Sequence, residues 1–272
     1  MNTHTKNNKR FKTTITILLL GLVLFAYNAY KNKQNTSNHV VKSISDRVDL
    51  TPSSTTGAIV VHPYYSLSYN ERYEQAEWVA YELKKDQVVH INQKRPYFIR
   101  DKKVTTKSAH YKAYKNSGYD KGHLCPAGDR RFSKQAYDQT FLTSNISPQK
   151  HSFNAGIWNR LEQKTRYWAT KYNGVYVITG GVLTPGLKTI GREKVAVPEY
   201  FYKIIYDDSR DEPDAIAFLI PSQQDSTKAL YEFVTSIDKI EALTGIDFFP
   251  KLPDDLENKL EKDFDYKGWS FR

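Results

Sequence analysis

The chain has 272 residues, 39% hydrophobic and 14% aromatic, which suffices for one sizeable core and excludes a disordered chain. Its formal charge is +10, but seven Lys or Arg and no acid fall within residues 1–42, so the remainder carries only +3. Net charge therefore makes no case for a nucleic-acid partner, and such a case must rest on a local site. A single cysteine, Cys125, excludes an intrachain disulfide and any zinc site built on four cysteines or on two cysteines and two histidines.

At the N-terminus, a cationic segment (residues 1–12, with Lys6, Lys9, Arg10 and Lys12) precedes the apolar run TTITILLLGLVLFAYNAY, Thr13 to Tyr30. Its length predicts a transmembrane anchor or uncleaved signal, since Tyr27 and Asn28 stand where a cleavage site wants small residues. The cationic start should stay inside, which predicts a membrane-anchored domain on the extracytoplasmic side, periplasmic or external, and a secreted one if the segment is cleaved. Residues 31–57, rich in Lys, Asn, Ser and Thr, read as a polar linker, with the folded domain spanning 58–272.

Within that domain, Glu77–Leu83 alternates Val79, Tyr81 and Leu83, and Gly174–Leu183 and Asp214–Ser222 are short apolar runs bounded by turn residues; all three predict strands. Helical spacing predicts helices over Ser152–Tyr172 and Ser226–Gly245. The tail from Phe248 to Trp269 predicts a peripheral helix and loop. The pattern is that of a mixed α/β or α+β domain.

Two segments carry candidate chemistry. GYDKGHLCPAGDR places His123 between an acid, a base and turn-forming residues, at a strand end followed by a loop. Histidine titrates nearest neutrality and accepts a proton from water when its other nitrogen is held. About twenty residues on, FLTSNISPQKHSFNAGIWNRLEQKTR supplies Asn145, Asn154, Glu162 and Arg166, which can face one cleft. Asn154 and Glu162 lie at the edge of the Ile157–Leu161 stripe, two oxygen-bearing groups suited to a hard cation that keeps most of its waters. Taken singly, each has a plainer reading: His123 completes a turn, Asn154 caps a helix, and Glu162 with Arg166 forms an exposed ion pair.

Taken together, DKGHLCPAGD, TFLTSNISPQKHSFNAGIWNRLE and VYVITGGVL resemble the DNA/RNA non-specific endonuclease family, the sugar-nonspecific nucleases of the ββα-metal superfamily, in order and spacing from about Tyr64 to Gly245. The resemblance implies an α+β ββα-metal fold, a central, mostly antiparallel sheet flanked by helices, here preceded by the N-terminal transmembrane helix. It implies a divalent-metal-dependent endonuclease acting on DNA and RNA. By position, His123 matches the general base and Asn154 the side chain that binds magnesium, for which manganese can substitute. Glu162 matches the acid holding the metal's waters, and Asn145 a supporting asparagine. Arg166 and Arg95 match arginines that stabilise charge on the phosphate, and Asp120 a structural residue of the turn that presents His123.

Lys121 departs from the family's usual arginine, keeping a charge for substrate binding but losing the planar fork. Cys125 stands where a small residue is usual. The alternative from another class is a catalytically inactive, membrane-tethered nucleic-acid-binding module on the same fold.

Overall fold

The computed structural model describes Tyr27 and residues 44–272, except Ser226, Asp263 and Arg272. The predicted membrane segment, Thr13–Tyr30, thus lies almost wholly outside the described residues. A short helix, α1 (Ile44–Arg47), precedes the expected domain start. Residues 44–57 read as a tether by composition, yet they pack: Ile44 and Leu50 are 3% and 2% exposed. The Ile44 amide donates to Glu82 Oε1 (2.9 Å) and the Trp78 indole donates to the Ser53 carbonyl (2.8 Å). Ile44 and Leu50, with Val48 packed beside them, and these hydrogen bonds hold a mostly polar segment, so the packed body begins before Ala58.

The strands are β1 (Ile59–Val61), β2 (Ser66–Asn70), β3 (Gln75–Lys84), β4 (Asp120–His123), β5 (Ile146–Gln149), β6 (Gly174–Gly181), β7 (Thr189–Ile190), β8 (Val195–Ala196), β9 (Tyr200–Asp207), β10 (Asp214–Pro221) and β11 (Val234–Thr235). Seven form one sheet in the order β1-β2-β3-β6-β9-β10-β11, with every neighbouring pair antiparallel. The further helices are α2 (Lys134–Gln139), α3 (His151–Phe153), α4 (Asn159–Lys171), α5 (Ile237–Thr244) and α6 (Asp254–Lys262). The class is α+β, built on a large antiparallel sheet.

Both faces of the sheet are covered, which is why its inner strands read as continuous apolar runs. Val79, Tyr81, Val177, Phe201 and Phe218 share one core with Leu161 and Trp168 of α4. Trp78, Tyr176, Ile178, Tyr202 and Ile204 share the other with Ile237 and Ile240 of α5 and Leu260 of α6. Each large side chain buried this way contributes roughly 2–3 kcal/mol.

The expected strands coincide with β3, β6 and β10, overrunning β6 by two residues and β10 by one, and β9 pairs between the last two. The expected helix over Ser226–Gly245 is only half realised. Val234 and Thr235, β-branched, pair with Phe218 and Ala217 at the sheet edge, and the helix starts after Ser236, whose hydroxyl accepts from the Lys239 amide.

Candidate active site

β4 and β5 form a separate two-stranded ladder with Asp120 opposite Gln149 and His123 opposite Ile146, and the chain turns at once into α3. Gly122 makes room for the buried Gln149 side chain: a Cβ there would lie 2.2 Å from Gln149 Oε1. Two strands and a helix thus frame one cleft.

His123 ends β4, half-buried between Phe98 and Phe141, with ring centroids 5.6 and 5.0 Å away. Its Nε2 is sealed inside and makes no hydrogen bond among the described residues. Desolvation, then the nearby Arg95 charge, lowers its pKa to about 3, so the imidazole is neutral at neutral pH. Arg95 lies over the Phe141 and Phe98 rings at 5.5 and 5.7 Å, and Lys121 lies 5.4 Å from the Phe98 ring. The aromatic pair therefore gathers His123, Arg95 and Lys121 in one place.

Asn154 does not N-cap a helix. It follows α3 inside a continuous helical run, its amide donating to the Lys150 carbonyl (2.8 Å), just before a kink at Gly156 (φ −96°, ψ −110°). Its Nδ2 donates to Asp120 Oδ2 (3.0 Å), which also contacts His151 Nδ1 (2.9 Å). With the amide nitrogen engaged, Oδ1 is the end left to take a ligand.

Glu162 and Arg166 do not form the simple exposed pair that their spacing allows. Arg166 Nη1 bonds Asp129 Oδ1 at 2.6 Å, and buried Asp129 also accepts from the Tyr81 hydroxyl (2.9 Å). Asp129 belongs to the loop after His123, so this bridge ties α4 to that loop. The half-buried Glu162 carboxylate is pushed up to about 7 by desolvation, opposed first by Lys203. Lys203 is wholly buried on β9, its Nζ 4.8 Å from the Trp158 ring and without a hydrogen-bond partner among the described residues. Burial lowers its pKa while Glu162 and Asp129 raise it.

Asn145 is fully buried and does not reach the cleft. Its Oδ1 accepts from the Cys125 amide (2.8 Å), and its Nδ2 donates to the Cys125 and Thr140 carbonyls (both 2.9 Å). It fixes the loop directly after His123. Cys125 is buried too, its thiol pushed up to about 12.

Two residues of the site escaped the sequence reading. Lys203 sits in YFYKIIYD, where a lone cation amid apolar residues facing a helix was the available signal. Gln149 is buried under Gly122 with both amide atoms unpartnered among the described residues; nothing in its sequence context marked it.

A family model described as DNA/RNA non-specific endonuclease matches residues 49–255. The chain belongs to the DNA/RNA non-specific endonuclease family. It is an enzyme of the nuclease class, similar to "Nuclease EXOG, mitochondrial" of Danio rerio at 34% identity, over 85% of this chain and 72% of that one. Against "Endonuclease G, mitochondrial" of Homo sapiens the identity is 30%, over 69% of this chain and 68% of the other. The chain spans only 56% of the mouse and human EXOG nucleases. Among solved structures, one titled as the EndoG/EndoGI complex, on the mechanism of EndoG inhibition, superposes with a TM-score of 0.68 at 29% identity, covering 72% of this chain and 86% of that one.

These relatives overturn the expected membrane-anchored, extracytoplasmic placement, for the matching nucleases of zebrafish, human and yeast are named mitochondrial. Among the described residues, no helix is long and apolar enough to cross a membrane.

Proposed function

We propose that this nuclease hydrolyses phosphodiester bonds of DNA and RNA with a divalent ion, His123 acting as general base. The observation that carries the reading is the convergence of a neutral, half-buried His123 with Arg95 beside it and an oriented Asn154 on the neighbouring helical turn. The donor set fits magnesium: Asn154 Oδ1 is an oxygen ligand and the Glu162 carboxylate would hold the ion's waters, so a hard ion keeps most of its shell, and manganese accepts the same set. When bound, such an ion neutralises charge on the phosphoryl oxygens and on the leaving 3′ oxygen.

The chain's own groups supply the rest. With Nε2 sealed against Phe98 and Phe141, Nδ1 is the nitrogen that meets water and takes its proton. Burial, with Arg95 as the second cause, keeps the imidazole unprotonated in the free enzyme; an arriving phosphate offsets the Arg95 charge and raises the basicity of His123 when it is needed. Arg166, anchored by Asp129, presents its remaining donors to the phosphate. Glu162, bonded to no described residue, accepts from waters in the cleft. Asn145 acts through the loop as a positioning residue. Groups that touch only phosphate read no sequence, which favours cleavage of many sequences.

His123→Ala should cut turnover of plasmid DNA and of RNA by about 10²- to 10⁴-fold with the fold intact by circular dichroism. Magnesium should be required, and chelation should abolish cleavage. An inert wild type across several divalent ions, still binding nucleic acid, would favour the non-catalytic binding module instead.

A further inference from the structure

A groove of about 710 Å³ lies between the residues around the Tyr111–Tyr114 turn and the β7–β8 hairpin. One wall is the turn Tyr111–Tyr114 and the residues after it; the other is the β7–β8 hairpin. The walls touch where Gly191, at φ +67°, meets Ala113: a Cβ on Gly191 would lie 2.6 Å from the Ala113 Cα. The groove is therefore preformed, and glycine is required for its closure.

Its charge is one-sided. Lys112, Lys115, Lys188 and Arg192 line it, all exposed. The one acid in the described lining, Glu193, is already engaged by Arg100 and by the His110 amide (2.7 Å). Among the described residues, no carboxylate stands within ion-pair distance of the four cations.

Two aromatic contacts link residues of the groove's neighbourhood to β4. Lys121, two residues before His123 on β4, lies 5.9 Å from the ring of Tyr114, a buried residue of the turn that also carries the groove residues Lys112 and Ala113. Lys188 lies 5.6 Å from the ring of Tyr119, just before β4. Lys121 thus packs against the turn that carries Lys112, and Lys188 against the residue that precedes β4.

We propose that this groove is a second phosphate-binding subsite, which holds the backbone of a long polynucleotide beyond the scissile bond. The proposal rests on the nuclease reading above and adds a length dependence to it. Substrates that reach the groove bind through extra phosphate contacts, each displacing counterions from the nucleic acid. A minimal phosphodiester gains nothing from it.

The test compares wild type, the triple variant Lys115→Glu, Lys188→Glu, Arg192→Glu, and a charge-matched control, Lys239→Glu, Lys251→Glu, Lys262→Glu, on the α5–α6 side. Each is measured for KM on a long duplex and on a nitrophenyl nucleoside phosphodiester, and, with His123→Ala added, for duplex affinity against salt. The groove variant should raise KM on the long duplex about ten-fold more than on the small ester and lower the salt slope by about one unit per lost contact, while the control keeps wild-type values. Equal slopes and an equal ratio of the two KM values in wild type and groove variant would overturn the groove. A wild type that neither cleaves nor binds duplex would overturn the nuclease reading, and the groove with it.

Discussion

Asn154 Nδ2 donates to Asp120 Oδ2 across 3.0 Å, joining the helical turn after β5 to the first residue of β4. The bond fixes which end of the amide faces the cleft. Orienting partners of this kind typically change metal affinity by about 10- to 100-fold. Asp120→Ala should therefore raise the magnesium concentration needed for half-maximal cleavage by about that factor, with turnover largely restored at high magnesium. A magnesium titration decides it; an unshifted midpoint would reduce Asp120 to a residue of the turn.

The Glu162 carboxyl, held near 7, gives activity an acid limb. Below that pH the group is protonated and loses its hold on water, so kcat/KM at sub-saturating magnesium should fall as pH drops through about 7. Lys203 opposes the rise. Replacing it, Lys203→Met, leaves burial and Asp129 opposed only by Arg166 and should move the limb to higher pH, whereas Glu162→Gln should remove it. If the limb stays in place in Lys203→Met, the two groups do not communicate.

His123 makes the opposite contribution to stability. Its folded pKa of about 3 lies below its ordinary 6.5. The unfolded chain thus binds the proton first, and stability is lost as pH falls from 6.5 toward 3. Between pH 7 and pH 5 the loss should be about 2 kcal/mol, and His123→Ala should not show it. Urea unfolding at pH 7 and pH 5 on both proteins measures the difference; parallel losses would mean that the histidine is not desolvated. Arg95→Ala should raise the His123 pKa in an NMR titration.

Asn145→Ala removes three buried hydrogen bonds and leaves the Cys125 amide and two carbonyls without their partner. The cost should be about 2–4 kcal/mol by denaturant unfolding. Activity should fall with it, because the loop it clamps follows His123 directly. A stable variant with normal turnover would show that the loop is held by its other contacts.

The β3, β6 and β10 runs and the two site segments were legible because each carries its own signal: apolar runs bounded by turns for the strands, and chemically unusual residues at fixed spacing for the site. What escaped was nonlocal. Lys203 looks like a polar interruption of a strand until β9 is seen to face α4. Asn145 looks like a cleft residue until its amide is found closed around Cys125. Val234 and Thr235 fit a helical period, but a free edge of β10 captures them. Ile44 and Leu50 are two anchors in a polar stretch, too few to register as periodicity. In each case tertiary pairing decides what local pattern leaves open.

The position of Cys125 has a consequence for redox chemistry. It is the chain's one cysteine, fully buried, with a thiol that stays protonated at any physiological pH. Oxidants and alkylating reagents act on exposed thiolates, and this protein offers none. Its catalysis should be indifferent to whether its surroundings are reducing or oxidising, and a cysteine introduced at an exposed position such as Lys188 would be the sole point of attachment for a thiol-reactive label.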